Sequence, residues 1–158
     1  MPRIENGVLV RETPVKVFAL TNDVSRWPEL FADYTEARVL SEEPAGRFTK
    51  VVFELRNEAG QAWRSWRLLD HQELTAIAER EDPLYPFRYM HLKWTYRAVP
   101  EGTSMVWTQD FEVDERVDIS LEEVVRRMNA HTVENQQRIK ETIESLRARE
   151  RELSREGT

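Results

Sequence analysis

The side chains that could carry chemistry in this sequence are arginines, hydroxyls and carboxamides standing where apolar residues belong. Ser65 and Arg67 alternate with Trp63 within 61–71, and Arg80 falls on one alternation of 74–81. Gln109 interrupts the apolar set Met105, Trp107, Phe111 and Val113, and Thr132 and Asn135 interrupt a helical seam. Burying an unpaired amide costs roughly 1–3 kcal/mol, and a charged guanidinium costs more. Such groups persist inside a protein if they pair with one another or meet water or a ligand. Taken together they point to a polar-lined cavity. Arginine, tyrosine, asparagine, serine and water can polarise carbonyls, stabilise enolates and move protons, which suits carbon–carbon condensation and dehydration rather than hydrolysis.

Other chemistries lack their residues. Cysteine is absent, which excludes disulfide frameworks, thiolate zinc sites and cysteine nucleophiles. His71, His91 and His131 show no metal-ligand spacing, so no metal site is expected. There is no GxSxG, no phosphate-cradling glycine loop and no dinucleotide fingerprint, and hence no cofactor is expected. With 158 residues, 40% hydrophobic and 33% charged, the chain reads as one soluble globular domain over 1–158. Its net charge of −6 argues against general nucleic-acid binding. The N-terminus lacks signal-peptide character and no run approaches the ~20 apolar residues of a membrane span, so a cytosolic protein without membrane contact is expected.

The elements that must position these residues follow from periodicity. Ile4 to about Arg11 alternates as a first strand. Thr13-Pro14 then offers an N-cap and a proline at the first helical position, opening a short helix that carries Val15, Phe18 and Ala19 toward the core and stops near Asn22-Asp23. A second short helix from Ser25 takes in Trp27, Leu30 and Phe31. From about Thr35 to Val113 the period is two, with turn signals at Pro44-Ala-Gly46, Ala59-Gly60, Asp82-Pro83 and Pro100-Glu-Gly102. Strands are expected at about 35–42, 47–57, 61–71, 74–81, 87–98 and 103–113, seven with the first, in an antiparallel meander. Ser120-Leu-Glu-Glu123 forms a capping box, and Leu121, Val125, Met128, Ile139, Ile143 and Leu146 mark one long helix. Its last residues, about 150–158, read as a frayed, solvated end. The economical α+β architecture is a curved sheet wrapped around that helix.

Facing follows from alternation. Met90, Leu92, Trp94 and Tyr96 point inward on one strand, and Met105, Trp107, Gln109, Phe111 and Val113 on the next. For 61–71 the sets Trp63, Ser65, Arg67, Leu69 and Ala62, Arg64, Trp66, Leu68 compete, and either puts one arginine inside. In 74–81, Leu74, Ala76, Ala78 and Arg80 facing in would leave empty space that Thr75, Ile77 and Glu79 would fill. Trp63, Trp94 and Trp107 on neighbouring or nearby strands, with Trp27, Phe31 and Tyr34 after the first helix, supply aromatic walls for a flat, oxygenated, apolar ligand.

Four segments then carry a family resemblance: TNDVSRWPELFADYTEARVL at 21–40, the Trp-x-Ser-x-Arg of Trp63, Ser65 and Arg67, PFRYMHLKWTYRAVPEGTSMVW at 86–107, and NQQRIKETIE at 135–144. The chain resembles the aromatase/cyclases of bacterial aromatic polyketide synthesis, and most nearly the tetracenomycin and spore-pigment members. The resemblance implies a START-like (Bet v-like) helix-grip fold, with a cavity between sheet and long helix that receives a poly-β-ketone chain tethered to acyl carrier protein and made by a minimal polyketide synthase. It implies first-ring aldol closure, commonly between carbons 9 and 14, followed by dehydration to an aromatic ring. The family's essential arginine corresponds to Arg67 and its proton-transfer tyrosine to Tyr34. Its pocket positions map onto Trp27, Phe31, Trp63, Ser65, Arg80, Phe87, Met90, Trp94, Trp107, Gln109 and Asn135, beside Thr132 from the helical seam. The match also turns Trp63, Ser65 and Arg67 inward and Trp66 outward. Relatives with paired domains act on reduced chains, so a lone domain implies a non-reduced substrate. The rival reading is a non-catalytic lipid or quinone carrier of the same fold, and a third is a chaperone in which the chain cyclises spontaneously.

Overall fold

The computed structural model describes residues 2–81 and 87–156. The expected Asp82-Pro83 turn lies outside the described residues. Strand β1 (Arg3–Val10) leads into helix α1 (Pro14–Thr21), a 3-10 turn (Val24–Arg26) and the single-turn helix α2 (Trp27–Leu30). Strands β2 (Tyr34–Ala45), β3 (Phe48–Asn57), β4 (Ala62–Asp70), β5 (Thr75–Arg80), β6 (Phe87–Val99) and β7 (Gly102–Val113) follow, and then helix α3 (Leu121–Glu156). All neighbours pair antiparallel, in the order β1-β7-β6-β5-β4-β3-β2, so a meander is closed by the first strand pairing with the last. This is the helix-grip architecture of START-like proteins.

The sheet curves around α3 because one face of each strand is apolar. Trp94, Tyr96, Met105, Trp107 and Phe111 are buried on β6 and β7, where clean alternation places them. On β4 the inward set is Ser65, Arg67 and Leu69, and on β5 it is Ala76 and Ala78, leaving Ile77 exposed. The pairing Arg67↔Ala78↔Leu92 puts a methyl group beside the guanidinium stem, so β5 contributes little volume and Arg67 has room to lie across it. Gly102 serves a close approach: a Cβ there would stand 2.3 Å from the Val10 carbonyl oxygen.

Several boundaries differ from the sequence expectation. Pro14 opens α1, but Thr13 makes no side-chain cap bond. The expected helix from Ser25 splits into the 3-10 turn and α2. Leu74 lies outside β5 with φ 54°, packed against the core from a turn rather than serving as a strand residue. Ser120 Oγ caps α3 through the Glu123 N–H at 3.1 Å, one half of the expected capping box, while the Glu123 carboxylate pairs with Arg126 and Arg127. Yet Leu121 is half exposed, and Val124 instead packs with Ile4 and Phe111. The helix continues beyond 150 to Glu156, and Glu150 is tied to Lys16 of α1 at 2.8 Å. Its polar face also grips β1: Gln136 donates to the Asn6 carbonyl at 3.0 Å, Lys140 to Leu9 at 2.9 Å and Arg147 to Arg11 at 2.6 Å. No helix of the described residues is long and apolar enough to cross a membrane.

Candidate functional site

The apolar interior divides into a large cluster around Val10, Phe18, Met105, Ile139 and Ile143 and a smaller one around Ile4, Phe111 and Val124. Between sheet and α3 lies a cavity of about 320 Å³, within the size range of small-molecule sites, roughly 300–1,000 Å³. Every residue singled out from the sequence borders it: Trp27, Phe31, Tyr34, Trp63, Ser65, Arg67, Arg80, Phe87, Met90, Trp94, Trp107, Gln109, Thr132 and Asn135.

The aromatic residues form a stack. Trp94 and Trp107, paired across β6 and β7, lie 4.2 Å apart at 7°. Phe31 covers both, at 6.2 and 5.9 Å, and Trp27 packs on Trp94 at 5.9 Å and on Tyr34 at 5.8 Å. Strand order puts Trp94 between Trp107 and the Arg67 guanidinium, whose Cζ is 4.1 Å from the Trp94 ring and 5.1 Å from that of Trp27. Such cation–π contacts partly offset the loss of water around the charge.

Arg67 is 1% exposed. Its Nε donates to Asn22 Oδ1 at 3.2 Å, whereas Nη2 is buried with no hydrogen-bond partner. Asn22 is itself fixed. Thr21 Oγ1 donates to the Val17 carbonyl at 2.7 Å, so the Tyr96 hydroxyl, 2.6 Å away, donates to Thr21. Tyr96 then accepts from Asn22 Nδ2 at 3.1 Å, which leaves the amide oxygen facing Arg67. The end of α1 and one phenol of β6 therefore orient the guanidinium without neutralising it. Burial lowers the Arg67 pKa to about 10, still charged at neutrality. Burial also raises Tyr34 to about 12, outweighing the nearby Arg80 and Arg67 guanidinium groups. Tyr34 therefore holds its proton at neutral pH and is a hydrogen-bond donor there. Arg80, whose Cζ is 5.1 Å from the Trp63 ring, is likewise lowered by burial.

The remaining polar residues pair among themselves. Thr132 donates to Gln109 Oε1 at 3.0 Å, and Asn135 donates to Asp33 Oδ2 at 3.2 Å. The same Asp33 oxygen is 2.8 Å from His131 Nε2. The Asp33 and His131 side chains are 29% and 56% exposed, so this end of the cavity meets solvent. Sequence reasoning passed over Asn22, Asp33 and His131 as site residues. His131 carried a usable signal, because it lies beside Thr132 and one turn from Asn135 on the interrupted helical seam. Asn22 carried only a helix-stop signal, since its role depends on strands far along the chain.

A family described as polyketide cyclase / dehydrase and lipid transport matches residues 12–138. A protein named as a polyketide cyclase from Streptomyces cyaneus is 40% identical over 113 residues, covering 68% of this chain and 70% of that protein. The granaticin polyketide synthase bifunctional cyclase/dehydratase of Streptomyces violaceoruber is 30% identical over 112 residues, covering 70% of this chain but only 34% of that longer protein. Among solved structures, the ZhuI aromatase/cyclase from Streptomyces sp. R1128 shares the fold at a TM-score of 0.65 and 19% identity, over 87% of each chain. A START superfamily protein from Mycobacterium smegmatis does so at 0.70 and 16%, over 91% of this chain and 98% of that one. By the extent of the family match and the 40% identical relative, the chain belongs to the polyketide cyclase/dehydrase and lipid transport family.

Proposed function

We propose that the protein is a cofactor-independent aromatase/cyclase that closes the first ring of a poly-β-ketone presented on acyl carrier protein, between carbons 9 and 14, and then dehydrates it toward an aromatic ring. The observation that carries this reading is Arg67: a buried guanidinium bordering an indole-lined cavity, with one nitrogen lacking a partner and no carboxylate among its described contacts. A buried donor left unmet costs about 1–3 kcal/mol, so its persistence is explained by a ligand oxygen that meets it. A ketone oxygen fits, and it gains negative charge as the new carbon–carbon bond forms. A fixed cation in a site of low dielectric stabilises that developing charge without reorganising.

Tyr34, kept protonated at neutral pH by burial, donates a hydrogen bond to a carbonyl or departing hydroxyl oxygen and yields its proton only as that oxygen gains charge. The stack of Phe31, Trp27, Trp94 and Trp107 limits how a flexible chain folds, so that one pair of carbons meets. Orientation of this kind is worth roughly 7–11 kcal/mol in favourable systems. The test is reconstitution with a minimal polyketide synthase of defined chain length and mass-spectrometric analysis of products. The expected result is one directed first-ring product with the wild type and its loss with Arg67→Ala at unchanged folding. Unchanged shunt products together with co-purified lipid would instead make the protein a carrier.

A further inference from the structure

The proposed aldol and dehydration steps need a group that accepts a proton from carbon, and among the described residues the buried part of the cavity has none. Tyr34 is a donor, and Arg67 and Arg80 are cations. Glu79 borders the cavity, but its carboxylate lies 3.1 Å from His91 Nε2, on the outer face of the sheet. Asp33 and His131 remain among the charged and titratable residues described around the cavity. On that reading of the function, we infer that His131 is the catalytic base at the cavity mouth and that Asp33 is its positioning residue.

Two parts of the chain place the pair. Asp33 lies in the segment between α2 and β2, and His131 and Asn135 lie one turn apart on α3. Oδ2 of Asp33 accepts from Asn135 Nδ2 at 3.2 Å and stands 2.8 Å from His131 Nε2, so the carboxylate meets both side chains of α3. A carboxylate can only accept, so Nε2 carries the hydrogen and the lone pair of neutral His131 is on Nδ1. Imidazole is the side chain suited to taking and returning protons near neutrality. The charged groups sharing the cavity are Arg67 on β4 and Arg80 and Glu79 on β5, whereas β6 and β7 present Phe87, Met90 and Gln109. On α3 itself Arg127, one turn before His131, is held by Glu123 at 2.9 Å.

The chemistry balances with no oxidant or reductant. Nδ1 takes a proton from a methylene flanked by two carbonyls, and the C–H electron pair becomes the enolate. The enolate carbon attacks a second ketone carbon, and the pair displaced onto that oxygen, stabilised by Arg67, receives the proton that His131 had taken, which returns the imidazole to its neutral form. His131 then removes a further α-proton as the hydroxyl leaves, and the departing oxygen carries that proton away as water.

The experiment uses the full chain and the product assay given above. His131→Gln keeps a hydrogen-bonding side chain toward Asp33 and should lower kcat by about a hundredfold or more, the usual worth of general base catalysis, with KM nearly unchanged. The wild-type rate should rise with pH as His131 loses its proton, and this acidic limb should vanish in His131→Gln. Added imidazole should restore turnover to His131→Ala. Asp33→Asn should lower kcat less and shift the limb. The inference is overturned if His131→Gln keeps kcat within about threefold and retains the limb while Arg67→Ala is inactive. If the wild type gives no directed product at all, the aromatase/cyclase reading itself fails, which is a distinguishable result.

Discussion

At the floor of the cavity a cation stands on indole rings with one amide oxygen and no counter-ion among the described residues. At the mouth a carboxylate accepts from one amide and stands beside an imidazole open to solvent. Both places bring together polar side chains from distant parts of the chain, and they differ in how completely those groups are satisfied. At the mouth the Asp33 carboxylate has an amide donor and an imidazole beside it. The floor is incomplete by two acceptors, one for Arg67 Nη2 and one for Trp107 Nε1. An unmet buried donor is a poor way to hold a fold together and a good way to hold an oxygen atom, so the contrast separates a group awaiting a ligand from a pair already formed.

Four changes would break or sharpen this contrast, from the largest expected effect to the smallest. Arg67→Met keeps the volume of the floor but removes its charge. It should cut the cyclisation rate by about 10²–10³, the usual worth of one oxyanion donor. It should also raise the thermal midpoint, since an orphaned buried donor is gone, and calorimetry on the variant checks this directly. A lower midpoint would mean that Arg67 holds the fold rather than serving the ligand.

Ala78→Leu attacks the same floor through its neighbour. Overpacking a filled interior costs about 1–3 kcal/mol, and the added side chain should crowd Arg67 off Trp94. Chemical denaturation and ligand-induced quenching of tryptophan fluorescence would report the two effects separately.

Tyr34→Phe should lower the rate by about ten- to a hundredfold, the worth of one hydrogen bond to a charged oxygen. Because burial lifts the Tyr34 pKa above its unfolded value, its stabilising contribution is whole below about pH 10 and is lost as pH rises through about 12. Alkaline tyrosinate absorbance should therefore lose a late-titrating phenol in this variant. The smallest effect should come from His91→Gln, which breaks the exposed pair with Glu79 on the outer face. It should change stability by at most about 1 kcal/mol and leave the product unchanged.

The sequence made some of this legible and concealed the rest for physical reasons. Trp94 and Tyr96 could be faced inward because Lys93, Thr95 and Arg97 alternate with them, so the period-two signal has contrast on both sides. Trp63-x-Ser-x-Arg67 had none, since each alternation held a tryptophan and an arginine, and only the family resemblance chose between them. The alanines of β5 were legible as a gap but not as the gap that lets Arg67 lie across the strand. Val124 rather than Leu121 meets the core because its partners there are Ile4 and Phe111, residues remote in sequence. Asn22 was hidden for the same reason: its orientation rests on Tyr96, 74 positions away along the chain.

The grip of α3 on β1 has a consequence of another kind. A sheet margin with unsatisfied carbonyls is a template for strand addition by a neighbouring molecule, and here Gln136, Lys140 and Arg147 occupy carbonyls of the first strand and the residue just after it. The opposite margin, β2, is interrupted by register shifts and carries exposed Glu36, Glu42 and Glu43. The spine of the grip thus serves as a guard against polymerisation, and shortening it from its C-terminal end would unmask a sticky border well before it emptied the cavity.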